Sequence, residues 1–107
     1  MTSLDSHKRE PEWTQTALTV LGAHGLHARP AIRFSRVARG YAARIQICIE
    51  GDLDWVDAKS VAKVMGLKVE RGRTILLRAL GADAEAALTG LRELVEIDMA
   101  AEDEDKR

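Results

Sequence analysis

The segment Arg44-Ile45-Gln46-Ile47-Cys48-Ile49-Glu50 places three isoleucines on one face of an extended chain. That period of two marks a half-buried strand. Strands of this kind belong to a sheet with one packed face and one wet face, which limits the folds open to the chain. Thr16 to Leu21 reads as an earlier, less regular strand. Gly51-Asp52 begins a turn, and Leu53 to Asp57 returns as a third strand, with Val56 and Ala58 toward the core and Trp55 and Asp57 opposite. After Gly72, the segment Arg73 to Ala79 directs Ile75, Leu77 and Ala79 to one face. Between these runs the period lengthens to that of a helix. From Ala28 to Arg39 the apolar positions Ala31, Phe34 and Ala38 oppose Arg29, Arg33 and Arg36. Ser60 is suited to cap a short helix from Val61 to about Leu67. Asp83 is a candidate cap for a last helix, with Glu85 in its first turn and an apolar stripe of Leu88, Leu91, Leu94 and Val95 that runs to about Ile97. The order is β-α-β-β-α-β-α. A one-faced sheet needs all its helices on the same side, which gives a two-layer α+β domain.

At 107 residues the chain suits one domain with one core, and 46% hydrophobic residues set it apart from disordered sequences. Aromatic residues are few, so Ile, Leu, Val and Ala must fill that core. The formal net charge of -1 does not nominate nucleic acid, and no aromatics interleave with the arginines of the first helix. Cys48 is the only cysteine, which excludes an internal disulfide and a cysteine-based metal cluster. No apolar run has the length of a membrane span, and the first fifteen residues lack the apolar stretch of a signal peptide. We expect a soluble cytoplasmic protein with a flexible polar leader (1–15), a folded domain (16–97) and an acidic, disordered tail (98–107). Trp13 is a candidate anchor for the leader, and Trp55 an exposed sheet residue or a contact for it.

The chemistry concentrates in Gly25-Leu26-His27-Ala28-Arg29-Pro30-Ala31. An imidazole stands one residue before a helix start, where open N–H groups and the helix dipole favour an anion. Arg29 adds a guanidinium fork that matches phosphate oxygens. Pro30 fits the first turn, where a missing N–H costs nothing. A phosphoryl group on His27 would meet charge compensation already in place, from Arg29 and from the amides near Ala28 and Arg29. His24 lies three residues earlier, a spacing that suggests a metal pair, but further ligands are missing from its vicinity and a metal would consume the nucleophile. We therefore read it as a loop residue that tunes His27.

This stretch resembles the active-site loop of the HPr family, the histidine-containing phosphocarriers of the bacterial phosphotransferase system. Ala58-Lys59-Ser60-Val61 is similar to the family's regulatory serine segment, and the resemblance extends from about Thr14 to about Ile97. It implies an open-faced sandwich, with a four-stranded antiparallel sheet covered on one face by three helices. It further implies a monomer that needs no metal or organic cofactor. Nδ1 of His27 would take the phosphoryl group, enzyme I would supply it, and enzyme IIA domains would receive it. Ser60 would be a target of HPr kinase/phosphorylase. Arg36, Arg39, Val61, Ala62 and Met65 would meet acidic partners, with Val64 in the same apolar set. A regulatory module of the same fold, in a nitrogen-related branch or acting through Ser60, is the alternative. The chain departs from the family in having His24 where asparagine is common and Lys68 where many members have glycine. Its hairpin at Gly51-Asp52 is also two residues longer than usual.

Overall fold

The computed structural model describes residues 12–101. The remainder of the expected leader and tail, residues 1–11 and 102–107, lies outside the described residues. The elements are β1 (Thr14–Thr19), α1 (Ala28–Arg39), β2 (Arg44–Ile49), β3 (Val56–Asp57), α2 (Val61–Gly66), β4 (Thr74–Leu80) and α3 (Ala84–Glu93). A π-helical turn, Leu94–Asp98, extends α3, and the helix continues to Ala101. The strands form one antiparallel sheet in the order β1-β4-β2-β3. The open-faced α+β sandwich expected above is therefore the fold.

The core lies between sheet and helices because each element brings one apolar face to it. Ile45 and Ile47 of β2, Ile75 and Leu77 of β4, Phe34 of α1, Val64 of α2 and Leu91 of α3 are fully buried. Burying each large side chain of this kind contributes about 1.5–3 kcal/mol. Ser35, in the same interior, keeps its hydroxyl satisfied by donating to the Ala58 carbonyl at 3.0 Å.

Several boundaries differ from the sequence reading, each for a pairing or packing reason. β1 starts at Thr14 and ends at Thr19, because its register against β4 runs from Thr14–Ala79 to Thr19–Thr74. β3 shrinks to Val56–Asp57, whose only ladder partners are Ile47 and Gln46. Leu53, expected in that strand, is exposed. The last helix does not end near Ile97. Glu96 accepts from the Thr19 N–H at 3.2 Å and pairs with Arg92 at 3.2 Å, tying the π-helical turn to β1, and Met99 beyond it is buried. Arg92 also donates to the Thr16 hydroxyl. Gly90, inside α3, allows a close approach, since an added Cβ would strike the Tyr41 hydroxyl.

On the wet face, Arg78 stands between two indoles, with its guanidinium 4.4 Å from the Trp13 ring and 4.1 Å from the Trp55 ring. Its Nε donates to Gln46 at 2.8 Å, and Arg44 lies over Trp13 at 5.4 Å. Cation–π contacts of this sort contribute about 0.5–1 kcal/mol each at an exposed site. Trp55 is thus neither isolated nor free.

Asp83 occupies the N-cap position of α3 yet makes no side-chain bond to that helix. Its carboxylate instead accepts from the Ala42 and Ala43 N–H groups, each at 2.8 Å. The loop after α1 would otherwise leave those donors unpaired. These bonds, that from Ala42 foremost, hold the Asp83 carboxyl below its ordinary 3.8. A carboxyl whose value is depressed by folding contributes stability above its unfolded value and loses it as pH falls through the folded one. Asp83→Asn is therefore expected to flatten the fall of the urea midpoint as pH drops below the ordinary carboxylate range. An unchanged slope would remove Asp83 from the acid response.

Candidate functional site

The loop from Gly22 to Leu26 is fixed by backbone bonds before any functional side chain is placed. The Gly25 N–H donates to Gly22 O at 3.1 Å, and the Leu26 N–H to Val69 O at 3.0 Å. Leu26 and Val69 are both fully buried. Gly25 takes a φ of 57°, and a Cβ there would run into the Val69 carbonyl. The chain then passes through His27 in an extended conformation (φ -93°, ψ 157°) and enters α1.

His27 is the N-cap of α1, but its side chain makes no cap bond. The first turn of the helix contains no acidic residue. Its positive end is therefore uncompensated by its own sequence, a state that favours an external anion. The His27 side chain is 40% exposed, and its Nε2 lies 3.5 Å from Glu70 Oε2. Ala28 has a φ of 44°. That left-handed conformation costs an L-residue about 1–2 kcal/mol.

An open cleft of about 570 Å³ gathers the loop residues from Gly22 to Gly25 with His27, Ala28, Arg29, Pro30 and Arg33 of the helix start. Glu70 and Met99 complete its wall. The structure thus brings His27, Ala28 and Arg29 to one depression, and His24 lines it as well. Ser60 is not part of it. Its Oγ accepts from the Lys63 N–H at 3.2 Å and so caps α2, as its sequence context predicts. Arg39 donates to the Lys59 carbonyl at 3.0 Å, while Arg36 is exposed. In α2, Val64 is core, Val61 and Met65 are half-buried, and Ala62 is exposed.

Residues 14–97 match the family described as "PTS HPr component phosphorylation site". The chain belongs to the HPr family. It is a phosphocarrier-family protein of the phosphotransferase system. It is 38% identical over 81 residues to phosphocarrier protein HPr of Haloferax volcanii, a match covering 76% of this chain and 91% of that protein. It is 40% identical over 85 residues to the multiphosphoryl transfer protein of Xanthomonas campestris, with 79% of this chain matched but only 9% of that much longer protein. Among solved structures, HPr from Bacillus anthracis superposes with a TM-score of 0.73 at 36% identity, covering 78% of this chain and 96% of that one.

Two residues of the cleft were not visible in the sequence. Glu70 and Met99 reach the cleft from a turn and a helix end far along the chain, and no local pattern signals either. Lys68, which stands where the resemblance leads one to expect glycine, takes a φ of 56°. A glycine at this position would be free of the Cβ strain of that conformation. Lys68→Gly is accordingly expected to raise stability by about 0.5–1 kcal/mol. A lower denaturation midpoint in the variant would contradict the left-handed assignment.

Proposed function

We propose that this HPr-family chain accepts a phosphoryl group on Nδ1 of His27 from enzyme I, itself charged by phosphoenolpyruvate, and passes it to enzyme IIA domains. One observation carries the reading: His27 stands at the open N-terminus of α1, whose own first turn has no acid, on a cleft shared with Arg29. In the acceptance step the Nδ1 lone pair forms the new P–N bond as the donor's bond to phosphorus breaks. The Arg29 fork and the amides of Ala28 and Arg29 meet the phosphoryl oxygens, whereas Pro30 has no N–H to give. The names of the relatives support the same chemistry, since they include both separate phosphocarriers and a multiphosphoryl transfer protein.

Docking uses a surface along the helices: Arg36 and Arg39 of α1, with Val61, Ala62 and Met65 of α2. Basic charge there speeds encounter with an acidic partner and lets the complex separate quickly, as a carrier requires. Ser60 supplies a regulatory branch. A phosphoryl group placed on it by HPr kinase/phosphorylase would sit at a helix N-terminus, blocking the docking surface by charge while leaving α2 folded. The protein acts in the cytoplasm without binding nucleic acid.

The test is incubation with enzyme I and labelled phosphoenolpyruvate. The wild type is expected to gain an acid-labile, base-stable label, and His27→Ala none. A wild type that stays unlabelled would overturn the reading.

A further inference from the structure

We propose that Glu70 is a positioning residue for His27: it holds the ring proton on Nε2, leaving the Nδ1 lone pair free for phosphorus throughout the cycle. The proposal rests on the carrier reading above and adds to it a residue outside the histidine motif.

The geometry begins with how Glu70 is placed. Lys68 turns the chain through its left-handed conformation, and Val69 enters the core, fully buried. The Val69 carbonyl receives the Leu26 N–H at 3.0 Å, one residue before His27. The Arg73 N–H returns to Glu70 O at 3.2 Å, and the Gly72 N–H to Val20 O at 2.7 Å. The turn carrying Glu70 is thus stitched by backbone to the loop carrying His27. Its carboxylate lies 3.5 Å from Nε2. The other charged groups lining the cleft, Arg29 and Arg33, are cationic, so Glu70 is its one carboxylate among the described residues.

A carboxylate has no proton to offer, so its charge 3.5 Å from Nε2 favours the tautomer with the N–H there. The other ring nitrogen then carries the in-plane lone pair. When Nδ1 bonds to phosphorus, Nε2 keeps its proton and the ring becomes cationic, with Glu70 opposite the new charge. On release, the P–Nδ1 electron pair returns to Nδ1 as the acceptor bonds phosphorus. The departing group is the same neutral Nε2–H imidazole. No proton moves in either direction, so the ring is ready for the next donor at once. Glu70 therefore favours the bound phosphoryl group as a cationic ring, the form from which it leaves most easily. Arg29 favours the same group through its oxygens.

The experiment has two arms on the full chain. Proton–nitrogen NMR correlations of the His27 ring, in alkaline buffer and without phosphorylation, report which nitrogen is protonated. Phosphoryl transfer from labelled protein to an enzyme IIA domain reports the rate. The wild type is expected to show Nε2–H, and Glu70→Ala a mixture of tautomers with transfer slowed about two- to fivefold, the scale of an exposed pair. Glu70→Gln keeps an accepting oxygen but no charge, so it is expected to restore the tautomer while transfer stays slow. Wild-type tautomer and rate in Glu70→Ala, or a wild-type ring protonated on Nδ1, would overturn the proposal. A wild type that takes no label removes the carrier reading instead. The NMR arm still decides the tautomer in that case, because it uses unphosphorylated protein. Glu70 is 71% exposed, so none of these variants disturbs the core.

Discussion

Gly25→Ala is expected to lower stability by about 2–4 kcal/mol, a large share of the roughly 5–15 kcal/mol that holds a domain of this size together. Two costs add. The φ of 57° is one that an L-residue adopts only with strain. The new Cβ would also collide with the Val69 carbonyl oxygen, which is backbone and already engaged by the Leu26 N–H. A flexible side chain would swing away from such a contact. A backbone carbonyl pinned between two buried residues, Leu26 and Val69, has nowhere to go. Relief requires the loop at residues 22–26 to separate from the turn at residues 68–71. The same variant should therefore lose phosphoryl acceptance more steeply than its loss of folded protein explains. Thermal unfolding read alongside labelling checks both effects. A midpoint within a degree or two of wild type would show that the loop does not hold this close approach.

Arg29→Ala should leave the fold intact, because the side chain is exposed, and should slow phosphoryl acceptance about 10–100-fold. The lower end reflects solvent around the guanidinium, and the upper end the loss of a bidentate partner for a doubly charged group. Arg29→Lys separates the two contributions. It keeps the charge but loses the planar fork, so it is expected to recover only part of the rate. Single-turnover transfer from phosphorylated enzyme I is the decisive measurement. Full activity in Arg29→Ala would assign charge compensation to the helix amides alone.

The two variants probe different kinds of information. Arg29 was legible from its place two residues after His27, within a motif whose chemistry is local. A histidine, a guanidinium, a proline and a helix start are all specified within seven adjacent residues. The same holds for Ser60, whose cap of α2 needs only the hydroxyl and the helix that follows. Strand and helix identities were legible too, because a period of two and a period of 3.6 are written in consecutive side chains. Asp83 shows where such reasoning fails. Its sequence position is that of a helix cap, yet its carboxylate bonds Ala42 and Ala43, some forty residues earlier. Two unpaired amides of a distant loop outcompeted the amides of its own helix.

The chain by itself determined the one-faced strands, the amphipathic helices and hence the sandwich, together with the imidazole and guanidinium at the first helix start. These follow from steric and solvation preferences that act between neighbours in sequence. Only the folded arrangement decided that Glu70 faces Nε2 of His27, that Met99 lines the cleft, and that Lys68 must turn left-handed on the way. Each depends on which backbone groups meet after the sheet has formed in the order β1-β4-β2-β3. Those meetings are set by hydrogen bonds and packing across the chain, which no window of adjacent residues records.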